Sequence, residues 1–432
     1  MEFVDFVNRC PTPYHTVATT VEELEAQGFT RLRERESWDL ASGGKHYVTR
    51  NGSSIIAFQL GNQWVPGSPM AIVGAHTDSP TLRLKPRSAV RKNGYVELGV
   101  ETYGGGLWPT WFDRDLSVAG RVYVNNSGIS QMRLLKIDKP LLRIPTLAIH
   151  LHREQSDKLD FNKEEHLKPI MALCGDEQVD EEHHLGLMNL VAEELGCQVS
   201  DILDFELVLY DTQKAVIGGL ADEFVFSPRL DNLNSCFCAT RGLLQQSQES
   251  SSTAKIVALF DHEEIGSVSA QGAESNFLSS VCERLNVSKL AQSVAQSFLL
   301  SADMAHAGHP NYEKKYEKEH QPRINAGPVI KTNANQRYAT NAFGNVLLGK
   351  TAQLAGVPLQ KFVVRNDSPC GSTIGPMIAA NLGIQTLDIG NPQLSMHSIR
   401  ETGGTKDIEY AIKLYNAFFT HFEEIEKSIE LD

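Results

Sequence analysis

The sequence predicts a discontinuous α/β domain interrupted by a β-rich insertion, and three observations lead there. Short, wholly apolar runs such as "MAIVGAH" (70–76) and "KIVALF" (255–260) have the texture of strands buried inside a parallel sheet. After residue 220 such runs alternate with helical segments, the rhythm of an α/β domain. From about residue 85 to 215 the texture is instead a period-two alternation with frequent turn residues, which is antiparallel.

The elements follow in chain order. Phe3, Phe6, Val7 and Cys10 fall at helical spacing. "TVEELEAQGF" predicts a helix that stops at Gly28. "KHYVTRNGSSIIAFQLG" is two β-rich runs around Asn51-Gly52, a hairpin signature. "MAIVGAH" belongs with the strands of the α/β domain. The insertion then offers "YVELGV", "DLSVAGRVYVNN", "MRLLKI", "PTLAIHL" and "FELVLYD" as strands, with turns at Gly94, Asn125-Asn126 and Pro140. One helix, "EEHHLGLMNLVAEELG" (181–196), interrupts them.

Beyond 220, helix "NLNSCFCATRGLLQQS" leads to strand "KIVALF", and further helices lead to strand "SFLLSADMA". Helix "TNAFGNVLLGKTAQLAG" precedes strand "KFVVRND", and helix "TIGPMIAANLG" precedes strand "IQTLDIG". A long amphipathic helix, "DIEYAIKLYNAFFTHFEEIEKSIEL", comes last. The expected division is therefore 1–84 with 220–432 as the α/β domain, and 85–219 as the insertion.

Composition narrows the function. The 432 residues are 41% hydrophobic and 22% charged, ample for a large core, so one large domain plus a smaller one is expected. A net charge of −13 without a basic stripe argues against nucleic acid and anionic membranes as partners. No apolar stretch is long enough to span a bilayer, and the acidic, amphipathic start "MEFVDFVNRC" is unlike a secretory signal. Seven scattered cysteines, an odd number, fit a reducing cytoplasm better than a disulfide framework. The Cys236-Phe237-Cys238 spacing is too short for a usual zinc pair, so both thiols are expected inside a helix beside a site.

Chemistry-bearing residues gather at the exits of the apolar strands. "AIVGAHTD" delivers His76 and Asp78, and "KIVALFDHEE" delivers Asp261, Glu263 and Glu264. "FLLSADMAH" delivers Asp303 and His306, "IQTLDIGNPQLSMHS" delivers Asp388 and His397, and "FSPRLDN" sets Asp231 before a helix. In open α/β sheets ligands bind beyond the carboxyl ends of strands. Carboxylates crowded there repel one another unless protonated or neutralised, and one or two bound cations would balance them. Imidazole and carboxylate without thiolate suit zinc, manganese, cobalt or iron. Taken singly, His-x-Asp is a satisfied core histidine and Glu-Glu after a strand is an acidic helix start. Five such strand ends together favour the metal. Of the adjacent Glu263 and Glu264, one could bind it while the other takes a proton from water.

The stretches "VGAHTDSPTLRLKP", "SPRLDNLNSC", "FDHEEIGS", "SADMAHAGHPNY", "GPVIKTNANQRYA", "RNDSPCGSTIGP" and "QLSMHSIRE" together resemble the aspartyl aminopeptidase family, in order and over nearly the whole chain. The resemblance implies a di-zinc exopeptidase domain with a mixed central sheet flanked by helices, and it makes the insertion a dimerisation domain. It implies two zinc ions per subunit, with cobalt or manganese as substitutes. His76 and Asp303 would bind one ion, Glu264 and His397 the other, and Asp231 both. Glu263 would be the general base and Asp78 the carboxylate orienting His76. Lys331 matches the family's pocket lysine for an acidic side chain, and His150 the histidine reaching into a neighbouring subunit. The expected activity is removal of N-terminal Asp or Glu from peptides with free N-termini, in a cytoplasmic homododecamer built from dimers. A neutral, Leu-like preference, a two-metal phosphoester hydrolase and a non-catalytic peptide-binding relative are the alternatives. Loss of Glu263 or a ligand would mark the last, and none is lost.

Overall fold

The computed structural model describes residues 2–174, 182–247 and 250–430. The chain divides into two compact units: Met1–Asp78 with Ala215–Met396 and Glu401–Asp432, and Ser79–Lys214 with His397–Arg400. The first division falls a few residues before the expected 84/85. The reason is that Thr81–Lys92 is one continuous strand of the β-rich sheet, so 84/85 would cut it.

The first unit is built on a mixed nine-stranded sheet. Its order is Thr30–Arg31, Lys45–Arg50, Ser54–Leu60, Ala254–Phe260, Met70–His76, Phe298–Ala302, Gln385–Gly390, Val329–Thr332, Gln360–Val363. The four neighbours from Ala254–Phe260 to Gln385–Gly390 run parallel. The unbroken apolarity of "MAIVGAH" now has its cause. Ala71, Val73 and Ala75 enter the core under helices Pro13–Ala26, Leu230–Leu244, Ala342–Ala355 and Thr405–Lys427. Met70 and Ile72 enter the core on the opposite face, under Phe277–Leu285 and Ile374–Leu382. A strand covered on both faces has no side that water selects to be polar. The hairpin at 45–60 turns through Asn51 (φ 56) and Gly52 (φ 68), the left-handed region these residues tolerate.

The first unit also carries a small sheet, ordered Val216–Gly218, Phe224–Ser227, Glu401–Gly404, Pro392–Leu394, Ala305–His306. Ser227 pairs with Glu401 there, just before the chain enters the Leu230–Leu244 helix.

The second unit is an antiparallel six-stranded sheet, ordered Ile129–Lys136, Leu116–Asn126, Ile202–Asp211, Thr81–Lys92, Tyr95–Tyr103, Ile170–Leu173. Leu187 and Val191 of the Leu185–Leu195 helix enter its core with Leu116, Val118, Val122 and Leu207. Two expectations are corrected here. "PTLAIHL" is irregular and forms no strand, with Leu147, Ile149 and Leu151 exposed. The turn expected at Asn125-Asn126 lies at Ser127-Gly128, because Leu116–Asn126 continues through both asparagines. Glu181, the first residue of the expected 181–196 helix, and Leu431, the last of the closing helix, lie outside the described residues.

Candidate metal centre

His76 ends its strand and is 1% exposed. The strands on either side of it, Ala254–Phe260 and Phe298–Ala302, run in the same direction. All three chains therefore leave the sheet at one edge, delivering His76, then Asp261 to Glu264, then Asp303. Asp231 arrives from the first turn of the Leu230–Leu244 helix with an extended backbone, φ −84 and ψ 102. Its N–H donates to Glu401 Oε2 at 3.1 Å, and the neighbouring Asn232 amide donates to the Ala302 carbonyl at 2.8 Å.

Around the imidazole the carboxylates close in. His76 Nε2 lies 3.3 Å from Asp231 Oδ1, 3.6 Å from Asp303 Oδ1 and 3.8 Å from Glu263 Oε2. Ligand atoms of His76, Asp231 and Asp303 lie within 4.8 Å of one another, as do those of His76, Glu263 and Glu264. On the far side of the ring, Nδ1 is 3.1 Å from the Asp78 carbonyl and 3.4 Å from Asp78 Oδ1. The Asp78 carboxylate also accepts the backbone N–H groups of Glu263 and Glu264, each at 3.1 Å. The Asp78 carboxylate thus lies beside the imidazole and accepts from the turn that carries both glutamates.

The electrostatics are those of a cation site. Burial would push the His76 pKa down. The charge of Glu263 and the imidazole's own hydrogen bonds to Asp231, Asp303 and Asp78 outweigh it and hold the imidazole well above its usual range. Burial pushes Glu263 up to about 8, with Asp303, Asp78 and Asp231 adding to the rise and His76 opposing it. The donor set is one imidazole nitrogen and carboxylate oxygens. The Cys236 thiol donates to the His76 backbone carbonyl at 2.9 Å, and burial raises its pKa strongly. Nitrogen and oxygen ligands without thiolate, converging in a largely buried place, fit zinc.

Other sequence candidates have different neighbours. Lys331 is 2% exposed on the Val329–Thr332 strand, and its Nζ donates to the Met304 carbonyl at 3.1 Å and lies 3.5 Å from Asp303 Oδ2. Asp388 is fully buried and accepts from Thr373 Oγ1 at 2.5 Å and Ala339 N at 2.6 Å. Asp261 accepts the His262 N–H at 2.8 Å. His306 is exposed and sets its ring 5.6 Å from that of Phe362. Cys236 and Cys238 are fully buried in the Leu230–Leu244 helix. His397 stands on the 397–400 segment of the second unit, where Nδ1 is 3.1 Å from the Gly105 carbonyl. His150, also of that unit, is exposed in a turn. Glu401, which fixes the Asp231 backbone, was not singled out in the sequence. Its signal was an acidic residue closing "QLSMHSIRE", visible only once its strand is known to pair with Ser227.

Residues 6–419 match the family described as Aminopeptidase I zinc metalloprotease (M18). The chain belongs to the M18 zinc aminopeptidase family. Aspartyl aminopeptidase of Aspergillus oryzae is 51% identical to this M18 enzyme, over 100% of this chain and 97% of the relative. Aspartyl aminopeptidase 4 of Saccharomyces cerevisiae is also 51% identical, over 99% of this chain and 96% of its own. A solved structure described as the Ape4 and Nbr1 complex aligns with a TM-score of 0.98 at 52% identity, over 100% of this chain and 87% of that one. The mApe1 dodecamer of S. cerevisiae aligns at 0.88 with 34% identity, over 99% of this chain and 97% of that one. The M18 enzyme described here is thus a zinc metallo-aminopeptidase, a peptide hydrolase of the aspartyl aminopeptidase type.

Proposed function

We propose that this M18 enzyme removes N-terminal Asp or Glu from peptides with free N-termini, using two zinc ions and Glu263 as general base. The observation that carries the reading is the convergence of Asp231, Asp303 and Glu263 on the Nε2 face of His76. His76 and Asp303 would hold one ion, Glu264 and His397 the other, and Asp231 would contribute to both, with His397 assigned from its motif. Cobalt or manganese can take the same places. Bound zinc supplies a Lewis acid for the scissile carbonyl and makes water acidic enough to lose a proton near neutral pH. Glu263 takes that proton and returns it to the leaving amine. Asp78 keeps both partners in place, through the imidazole on one side and the Glu263 N–H on the other.

The preference for acidic residues is supported by the names of the relatives at 51% identity. Lys331 is the candidate for reading the acidic side chain. Because its ammonium is already engaged by Asp303 and the Met304 carbonyl, a neutral N-terminal preference is the second reading. We also assign the β-rich unit to dimerisation within a homododecamer, with His150 serving a neighbouring subunit. Exposed Leu147, Ile149 and Leu151 beside His150 support this, as does the dodecameric relative. Seven free cysteines among the described residues support a cytoplasmic location.

The test is hydrolysis of Asp-, Glu-, Leu- and Lys-p-nitroanilide, before and after chelation and after re-addition of zinc, cobalt or manganese. Chelator-sensitive cleavage led by Asp and Glu is expected. Cleavage led by Leu would leave the mechanism standing and remove Lys331 as the acid-selecting residue. No cleavage by any metal form would overturn the reading.

A further inference from the structure

Lys331 has surroundings that an ammonium reserved for substrate would not need. It is 2% exposed, and three features of the protein already face its Nζ. The Met304 carbonyl accepts from it at 3.1 Å, Asp303 Oδ2 lies at 3.5 Å, and the Tyr338 ring centroid lies at 5.2 Å. Behind it, Asp388 is fixed by Thr373 and Ala339. Burial raises the pKa of Asp388 and the charge of Lys331 opposes that rise, so the ammonium lies in the field of two acids.

The two oxygens of Asp303 are thereby divided. Oδ2 faces Lys331, and Oδ1 faces His76 Nε2 at 3.6 Å. A carboxylate with one oxygen held by a cationic donor presents the other alone, in a fixed direction. We propose that Lys331 is a positioning residue for Asp303, holding Oδ2 so that Oδ1 is presented to the metal. This rests on the reading of Asp303 as a zinc ligand. It gives Lys331 a task that precedes any contact with substrate.

The sign of the effect separates this from the alternatives. A positive charge that is merely near a cation site repels the cation, so removing it should tighten zinc binding. A group that orients a ligand does the reverse, and losing such an outer partner typically weakens metal affinity by about 10–100-fold. The experiment is competition for zinc between a fluorescent chelator and the holoenzyme, with zinc per chain and thermal melting measured in parallel. The variants are Lys331→Met, Lys331→Gln and Asp303→Ala. Lys331→Met is expected to weaken zinc binding by about 10–100-fold. Lys331→Gln keeps a neutral N–H donor for Oδ2 and should show a smaller loss. Unchanged or tighter binding in Lys331→Met would overturn the proposal. If that variant does not fold, unchanged or tighter binding in Lys331→Gln would overturn it. Asp303→Ala tells the two readings apart. Full zinc retention there would remove Asp303 as a ligand and both readings with it. Zinc loss there but not in the Lys331 variants would remove only the positioning role.

Discussion

Glu263 and Glu264 are chemically identical neighbours, and their backbones are held alike. Asp78 accepts both N–H groups, Glu263 on Oδ1 and Glu264 on Oδ2. Replacing Glu263 by Gln keeps its size and its N–H bond to Asp78 but removes the proton acceptor. Zinc content should stay within about twofold of wild type while turnover falls by roughly 10²–10⁴, the usual worth of a general base. Metal analysis beside single-turnover kinetics checks this, and near-normal turnover would remove Glu263 as the base. The sequence shows His76, Asp231, Asp303 and the paired glutamates, because acids and imidazoles at the ends of apolar strands are conspicuous. It does not show that Lys331 is buried against Asp303. That depends on which strand follows which across the sheet, and Val329–Thr332 lies two strands from Phe298–Ala302.

The closing helix gives a test of a different kind. Asp407, 1% exposed at the start of Thr405–Lys427, accepts the N–H groups of Asn325 at 2.6 Å and Gly327 at 2.9 Å. It thereby ties down the chain entering the Lys331 strand. Burial pushes its pKa from 3.8 up to about 6, with those two N–H donors working against the rise. A carboxyl whose folded pKa is raised favours the fold while protonated. That contribution is whole below 3.8 and lost as pH climbs through 6. Wild type should therefore lose about 2–3 kcal/mol relative to Asp407→Asn between pH 3.5 and 7. Denaturant titration of both proteins across that range checks it, and parallel pH profiles would refute it. Elements with two buried faces or a capped start were legible from sequence. "PTLAIHL" was not, because alternation records only spacing, and a strand needs a neighbour with free N–H and C=O groups.

At the scale of the molecule, His150 is the sharpest question. It sits among exposed apolar side chains far in sequence from the His76 cluster. If it serves a neighbouring subunit, His150→Ala should lower kcat/KM by roughly 10²-fold or more, the low end for removing a catalytic proton-transfer group. Zinc content should be unchanged. Steady-state kinetics, metal analysis and sedimentation on one preparation would separate this from loss of assembly. Unaffected kinetics would end the cross-subunit role. The existence of a β-rich insertion was legible in the change from continuous apolar runs to alternation. Its first boundary was displaced, because Lys85-Pro86-Arg87-Ser88 interrupts the apolar alternation inside the strand at 81–92, where its register with Tyr95–Tyr103 also shifts. That 397–400 groups with the insertion was not legible, since four residues show no texture of their own.

The spread of the clustered residues along the chain has a consequence for how the enzyme is made. Residues 76, 231, 263 and 303 meet only because three parallel strands and one helix are already in place. No fragment that ends before residue 303 carries the set, so a polypeptide still being synthesised lacks part of it until Asp303 has left the ribosome. On the proposed reading, zinc would find its full set of partners only once these elements have been made and have met.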